Sequence, residues 1–228
     1  VFQTNSFEQL CINYCNERLQ TFFNEVIFKD ELAIYEEEGV DCSGIKYQDN
    51  LECVRVIDGS RNTGIFSFLD EECVVPQGSD EKLLKKMDSA FSSKSGAAYS
   101  KYYQQSRKLP NTFIVGHFAG DVVYNVLGFM EKNKDTLHGS MAKIIESSDI
   151  EMLKPEVVPP TPAQQAGRGG AGKNNKITVS TKFKKNLDDL MNSLESTTPS
   201  FVRCIKPNEV QKADKWDAKL VLRQMKYS

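Results

Sequence analysis

The residues closest to a catalytic pattern are Gly167, Gly172 and Lys173, in the string GRGGAGKN at 167–174. Their spacing nearly matches G-x-x-x-x-G-K-[ST], a loop whose glycines let backbone N–H groups approach phosphates while the lysine neutralises them. That chemistry also needs a hydroxyl on Mg2+ and a strand and helix to hold the loop. Asn174 stands at the hydroxyl position, and VPPTPAQQA at 158–166 cannot be a buried parallel strand, because its prolines have no N–H for a ladder. No apolar helical pattern follows at once. The segment reads instead as a mobile basic loop in which Arg168, Lys173 and Lys176 are point charges without fixed geometry.

Metal and nucleophile chemistry is as weakly signalled. The six cysteines, Cys11, Cys15, Cys42, Cys53, Cys73 and Cys204, form no C-x-x-C pair, and the histidines are His117 and His138 alone. Zinc-ligand spacing is therefore missing. Reduced, buried thiols of a cytosolic protein are expected rather than a disulfide framework. His117 falls in a strand pattern with no Ser, Cys or carboxylate partner signalled, so it reads as structural or exposed rather than catalytic. No catalytic residue and no metal ligand is assigned.

The bulk numbers narrow the classes further. A chain of 228 residues with net charge −2 exerts no global pull on nucleic acid or anionic membrane. A nucleic-acid binder using Arg168 and its neighbours is disfavoured, because the basic charge is local and no recognition motif is present. No apolar run approaches the roughly 20 residues of a membrane helix, and no secretory signal opens the chain. Both ends read as interior points of a longer protein: there is no initiator Met, and 217–228 runs into a helical pattern with no stop signal.

The elements that must position these residues are mostly helices. Phe7, Leu10, Cys11, Tyr14, Leu19, Phe22, Phe23 and Val26 follow helical spacing behind a capping box of Ser6 and Gln9, with Asn5 as a competing cap. That helix is expected to run roughly 30 residues, about 45 Å. Residues 51–57 are a second helix and 64–73 a third, stopped by Pro76 and Gly78. Ser79 caps a fourth, with Asp80 and Glu81 in its first turn. Its Leu83, Leu84, Met87 and Phe91 face inward, leaving Lys82, Lys85 and Lys86 to solvent. Residues 92–111 read as a surface excursion. TFIVGH and DVVYNV, flanking Phe118-Ala119-Gly120, read as a β-hairpin. After the low-complexity stretch 154–176, Phe183, Leu187, Leu190, Met191 and Leu194 share one helical face. Residues 201–205 read as a short buried strand stopped by Pro207, and Asp217 caps a last helix.

Taken in order, NSFEQLCINYCNERLQTFFN at 5–24, the helix–loop–helix, GHFAGDVVYNVLGFMEKNKD at 116–135, the helix KFKKNLDDLMNSL and the string FVRCIKPNE at 201–209 resemble the second half of a myosin motor head. The resemblance covers nearly the whole chain. It implies an α/β P-loop NTPase-type head, of which this piece supplies a mainly helical lower 50-kDa subdomain, a β-hairpin and one or more strands of the central mixed sheet. Residues 1–58 would be the relay helix, relay loop and following helix. Residues 59–153 would be the actin-binding subdomain with loop 3 and strut, 154–176 loop 2, and 177–228 the actin-binding helix, transducer strand and start of the reactive-thiol helix. Cys42 stands where many members carry a relay-loop tryptophan, and Tyr227 where conventional members carry cysteine, which points to an unconventional class.

The resemblance implies actin contacts at Val74, Val75, Pro76 and Gln77, with Lys82, Lys85 and Lys86 beside them. It adds Lys101, Arg107 and Lys108 in loop 3, and Arg168, Lys173 and Lys176 in loop 2. Along the actin-binding helix it adds Lys182, Lys184, Lys185, Leu187, Asp188 and Asp189, then Leu190, Met191, Asn192, Ser193 and Leu194. Coupling is implied for Asn5, Phe7, Tyr14, Asn16, Phe22 and Phe23, and for Arg203, Lys206, Pro207 and Asn208. ATP and Mg2+ would serve the parent head through motifs expected upstream of Val1, with none bound by residues 1–228. The implied partners are actin filaments and, through a neck beyond this chain, light chains or calmodulin, in the cytoplasm and cytoskeleton. The alternative is a degenerate head kept for actin attachment without catalysis.

Overall fold

The computed structural model describes residues 4–42, 49–59, 63–91, 101–106, 108–134, 141, 144, 145, 147–150 and 178–226. Helix α1 (Phe7–Glu37) is one uninterrupted rod of 31 residues. The expected capping box at its start does not form. Ser6 has the extended backbone of an N-cap but makes no side-chain cap bond. Lys132 Nζ donates to Ser6 Oγ at 3.1 Å and to Glu8 Oε2 at 2.8 Å, and Gln9 Nε2 donates to Asn13 Oδ1. A tertiary cation has replaced the local cap. The far end closes on Gly39, whose φ of 72° suits a left-handed stop. Gly39 N–H donates to Glu36 O and Val40 N–H to Tyr35 O, the paired bonds of a Schellman motif.

Helices α2 (Leu51–Asp58), α3 (Ile65–Val74) and α4 (Asp80–Ala90) follow. The α3–α4 turn is tight: a Cβ on Gly78 would lie 2.1 Å from Glu72 O. Then come strands β1 (Tyr103–Gln105), β2 (Thr112–His117) and β3 (Gly120–Asn125) in one antiparallel sheet of order β1-β2-β3. His117 pairs Gly120 across a two-residue Phe118-Ala119 loop, as the hairpin pattern predicts. Strand β1 lies inside the stretch expected to be a surface excursion. Its polar sequence hides one buried anchor, Tyr103, whose hydroxyl donates to Asp88 Oδ1 at 2.7 Å. Short helix α5 (Phe129–Asn133), then α6 (Val179–Glu195) and α7 (Ala218–Met225) complete the order.

One core joins these elements. Phe7 meets Phe66 and Phe129 edge-on, and Tyr14 meets Phe66 the same way. A line of rings continues from Phe68 through Phe91, Tyr103 and Phe113 to Tyr124. Each such buried ring contributes roughly 1.5–3 kcal/mol against exposure. Two expectations about apolar faces fail. Leu19 on α1 and Leu190 on α6 lie exposed, because the inward positions at those turns are taken by Glu17 and Met191.

Residues 201–205, expected to be a buried strand, form no strand. Phe201 rests against Phe22 and Phe23, but Val202 is 86% exposed. An apolar run becomes a strand only where a neighbouring strand supplies backbone partners, and among the described residues none lies beside it. Among the described residues no helix is long and apolar enough to cross a membrane.

Candidate functional site

The α3–α4 tip presents Val74, Val75, Pro76 and Gln77 to solvent, Val74 at 63% exposure. Its shape is fixed from below. Ser79 Oγ accepts from Lys82 N–H, giving the cap its sequence predicts. Gln77 takes a left-handed φ of 62°, a sparsely populated conformation for a non-glycine residue, and its carbonyl accepts from Lys82 Nζ at 2.7 Å. Of the three lysines expected to face solvent, Lys82 and Lys85 do. Lys86 does not. It is half-buried, 2.6 Å from Glu71 Oε2 and 5.4 Å above the Phe68 ring, so its charge is spent inside the molecule.

Helix α6 is fastened at its start by Asp70 of α3. That carboxylate accepts from Thr178, Ser180, Thr181 and Asn133, drawing α3, α5 and α6 together. Leu187 and Met191 are buried against the core. Lys184 pairs with Asp58, and Asp188 pairs with Arg18 at 2.9 Å. Lys182, Lys185, Asp189, Leu190, Asn192 and Ser193 face outward, and Leu194 is half-buried. The residues given one role by the sequence thus divide into an inner row and an outer row. Lys101 and Lys108 are exposed, with Lys101 Nζ 5.2 Å above the Tyr102 ring. Arg107, Arg168, Lys173, Lys176 and Tyr227, together with the loop at 154–176, lie outside the described residues.

Along α1, Asn5 joins the helix start to the sheet: its Nδ2 donates to Val123 O, and its carbonyl accepts from Asn125 N–H. Phe7, Tyr14 and Phe22 are buried, Phe23 is half-buried and Asn16 is exposed. The Arg203 guanidinium lies 4.1 Å from the Phe23 ring centroid and donates to Gln20 Oε1. Lys206 exchanges both backbone bonds with the Gln224 side chain of α7, and Pro207 O accepts from Asp217 N–H. Buried Asn208 organises the loop before α7. Its Nδ2 donates to Lys212 O and Lys215 O, and its Oδ1 accepts from Lys212 N–H.

One buried cluster was not legible in the sequence. His117 does have a carboxylate partner: its Nδ1 lies 3.1 Å from Glu17 Oε1 and 3.8 Å from Cys53 Sγ. The donor atoms of Glu17, Cys53 and His117 lie within 4.8 Å of one another, close enough for one metal ion. The protein already occupies them. Glu17 accepts from Phe118 N–H at 2.8 Å and from Asn50 Nδ2, and His117 Nε2 meets Tyr124 OH at 2.7 Å. Burial, then the Glu17 charge, pushes the Cys53 thiol up, which favours the neutral form. The cluster works as a polar clamp joining α1, α2 and the hairpin. Its available signal was Glu17, a carboxylate three residues after Tyr14 on the apolar stripe.

Among the described residues the one passage from strand to helix is β3 to α5. Its amides are claimed by the protein's own carboxylate: Asp80 accepts from Gly128 N–H at 2.7 Å and Met130 N–H at 3.0 Å. The β3–α5 turn therefore offers no free amide at Gly128 or Met130 to a phosphate.

Comparison with known proteins places this geometry. Residues 1–228 match the family model described as myosin head (motor domain). The chain is 39% identical over 227 residues to a myosin-I heavy chain of Dictyostelium discoideum, covering 100% of this chain and 9% of that protein. It is 40% identical over 227 residues to unconventional myosin heavy chain 6 of Caenorhabditis elegans, covering 100% of this chain and 10% of that one. Myosin-52 of Schizosaccharomyces pombe is 38% identical over 232 residues, covering 99% and 15%. The chain thus spans a small part of the relatives it matches.

Proposed function

Because this chain belongs to the myosin head (motor domain) family, we propose that it is the filament-gripping and motion-passing part of an ATP-driven motor acting on actin. The carrying observation is the shared mounting of two outward surfaces. The Val74–Gln77 tip and the outer row of α6 are both fixed to α3, and α6 is also fixed to the long helix α1. Exposed valines beside a strained turn give short-range apolar contact, while Lys82, Lys85, Lys182 and Lys185 give charge attraction to an acidic partner. Arg168, Lys173 and Lys176 of the 154–176 loop would add long-range steering. Turnover of ATP with Mg2+ would occur in the parent head, with light chains or calmodulin bound elsewhere in the protein. Its setting would be the cytoskeleton.

The test is cosedimentation of the parent head with actin filaments, without nucleotide, across a salt series. Binding is expected to weaken as salt passes about 0.1 M, where screening shortens to about 10 Å. Replacing Val74 and Val75 by serine is expected to weaken it by about tenfold, the loss of roughly 1.4 kcal/mol. A parent head that ignores actin at low salt sinks the reading. MgATPase stimulated by actin separates a motor from a passive attachment module.

A further inference from the structure

Five side chains from three helices close a ring between α6 and α1. Lys184 of α6 pairs with Asp58 of α2. Tyr14 OH of α1 donates to Asp58 Oδ2 at 2.6 Å. Arg18 of α1 donates to Tyr14 OH at 3.0 Å and to Asp188 Oδ1 of α6 at 2.9 Å. The Arg18 guanidinium also lies over the Tyr14 ring, 5.9 Å from its centroid. Tyr14 and Arg18 are four apart on α1, as are Lys184 and Asp188 on α6, so each helix presents its pair on one face. Two polar rungs therefore bind α6 to α1, and both must break together if α6 slides along α1.

The ring is costly to disturb. Tyr14 is buried, the Asp58 side chain is 16% exposed, and burial followed by the Asp58 hydrogen bond pushes the Tyr14 phenol up. Removing Tyr14 or Asp58 strands a partner in a poorly hydrated interface, whereas the Arg18–Asp188 pair, with Asp188 52% exposed, is held more weakly on its own. We propose that Arg18 is a positioning residue: it takes load from Asp188 of α6 directly and, by holding Tyr14 against Asp58, keeps the second link to Lys184 in place, so that movement of α6 is passed to α1. This rests on the reading of α6 as a filament-facing helix. Tyr14 is buried and Arg18 and Lys184 are engaged inward, while Asp188, 52% exposed, is the ring's outer edge. The ring sets whether movement of α6 reaches α1.

The experiment uses the parent head with Tyr14→Phe and Arg18→Met. These changes remove the hydroxyl or the charge while keeping bulk. Circular dichroism and melting temperature establish folding. Affinity for actin without nucleotide and actin-free MgATPase are expected to stay within about twofold, since neither surface is altered. Maximal actin activation is expected to fall about five- to tenfold, a coupling loss in the usual range. Arg18→Asp is expected to lose activation likewise, and adding Asp188→Arg to restore at least half of it. If Tyr14→Phe does not fold, Arg18→Gln and the charge exchange carry the test. Full activation in the folded variants, or no rescue by the exchange, overturns the proposal. A wild-type head without actin activation overturns the motor reading instead.

Discussion

Glu8 shows how a single side chain reports a contact that no local pattern announces. The Lys132 hydrogen bond holds its carboxyl below the usual range. A depressed carboxylate stabilises the fold above its unfolded pKa, near 4.3, and that contribution fades as pH falls through the lower folded value. Lys132→Met is expected to return Glu8 to the ordinary range, read as an upward shift of its carboxyl titration by NMR. The contribution of the Glu8–Lys132 link to acid stability should vanish with it. The partner sits 124 positions away, which is why the cap of α1 was misread. Glu17 and His117 went unpaired in the sequence for the same reason. Ser79 and Asp217 were read correctly because their caps are closed by amides two or three residues on.

Elements fared according to how much of their support is their own. The α3–α4 pair was legible from its apolar spacing and the Pro76–Gly78 break. It depends on one close approach. Gly78→Ala would place a methyl 2.1 Å from Glu72 O and 2.9 Å from Met130 Cε. Backbone cannot yield as a flexible side chain can, so the turn itself must shift. The expected loss is about 1–3 kcal/mol in denaturant unfolding, together with weaker actin binding as Val74 to Gln77 are displaced. Residues 201–205 mark the opposite case: their apolar run was visible, but a strand needs a second strand to pair with, and among the described residues none lies beside it. Strand β1 was missed because Tyr103 alone carries its burial among polar neighbours.

At the scale of the molecule, many large apolar side chains remain exposed. Val202 at 86%, Trp216 at 68%, Leu222, Met225 and Ile205 lie exposed along one stretch of chain. Apolar residues exposed in this number favour self-association where they come together on the surface. Residues 1–228 expressed alone are therefore expected to self-associate with concentration in analytical ultracentrifugation, and Val202→Glu with Leu222→Glu to reduce it. A monodisperse wild type would contradict the reading. The family was legible from the order of motifs, whereas the division of α6 into inner and outer rows required coordinates. That division follows from Asp58 and Arg18, which lie on other helices. Helix α1 has a further consequence. Its first 18 residues, through Asn24, carry the helix's buried side chains, while beyond them Glu25, Ile27, Glu31, Ala33, Ile34, Glu36 and Glu37 are exposed. Of its length of about 46 Å, the part from Glu25 to Glu37 projects about 20 Å. Tilting that projecting part by some ten degrees at Asn24 would swing its tip by roughly 3–4 Å.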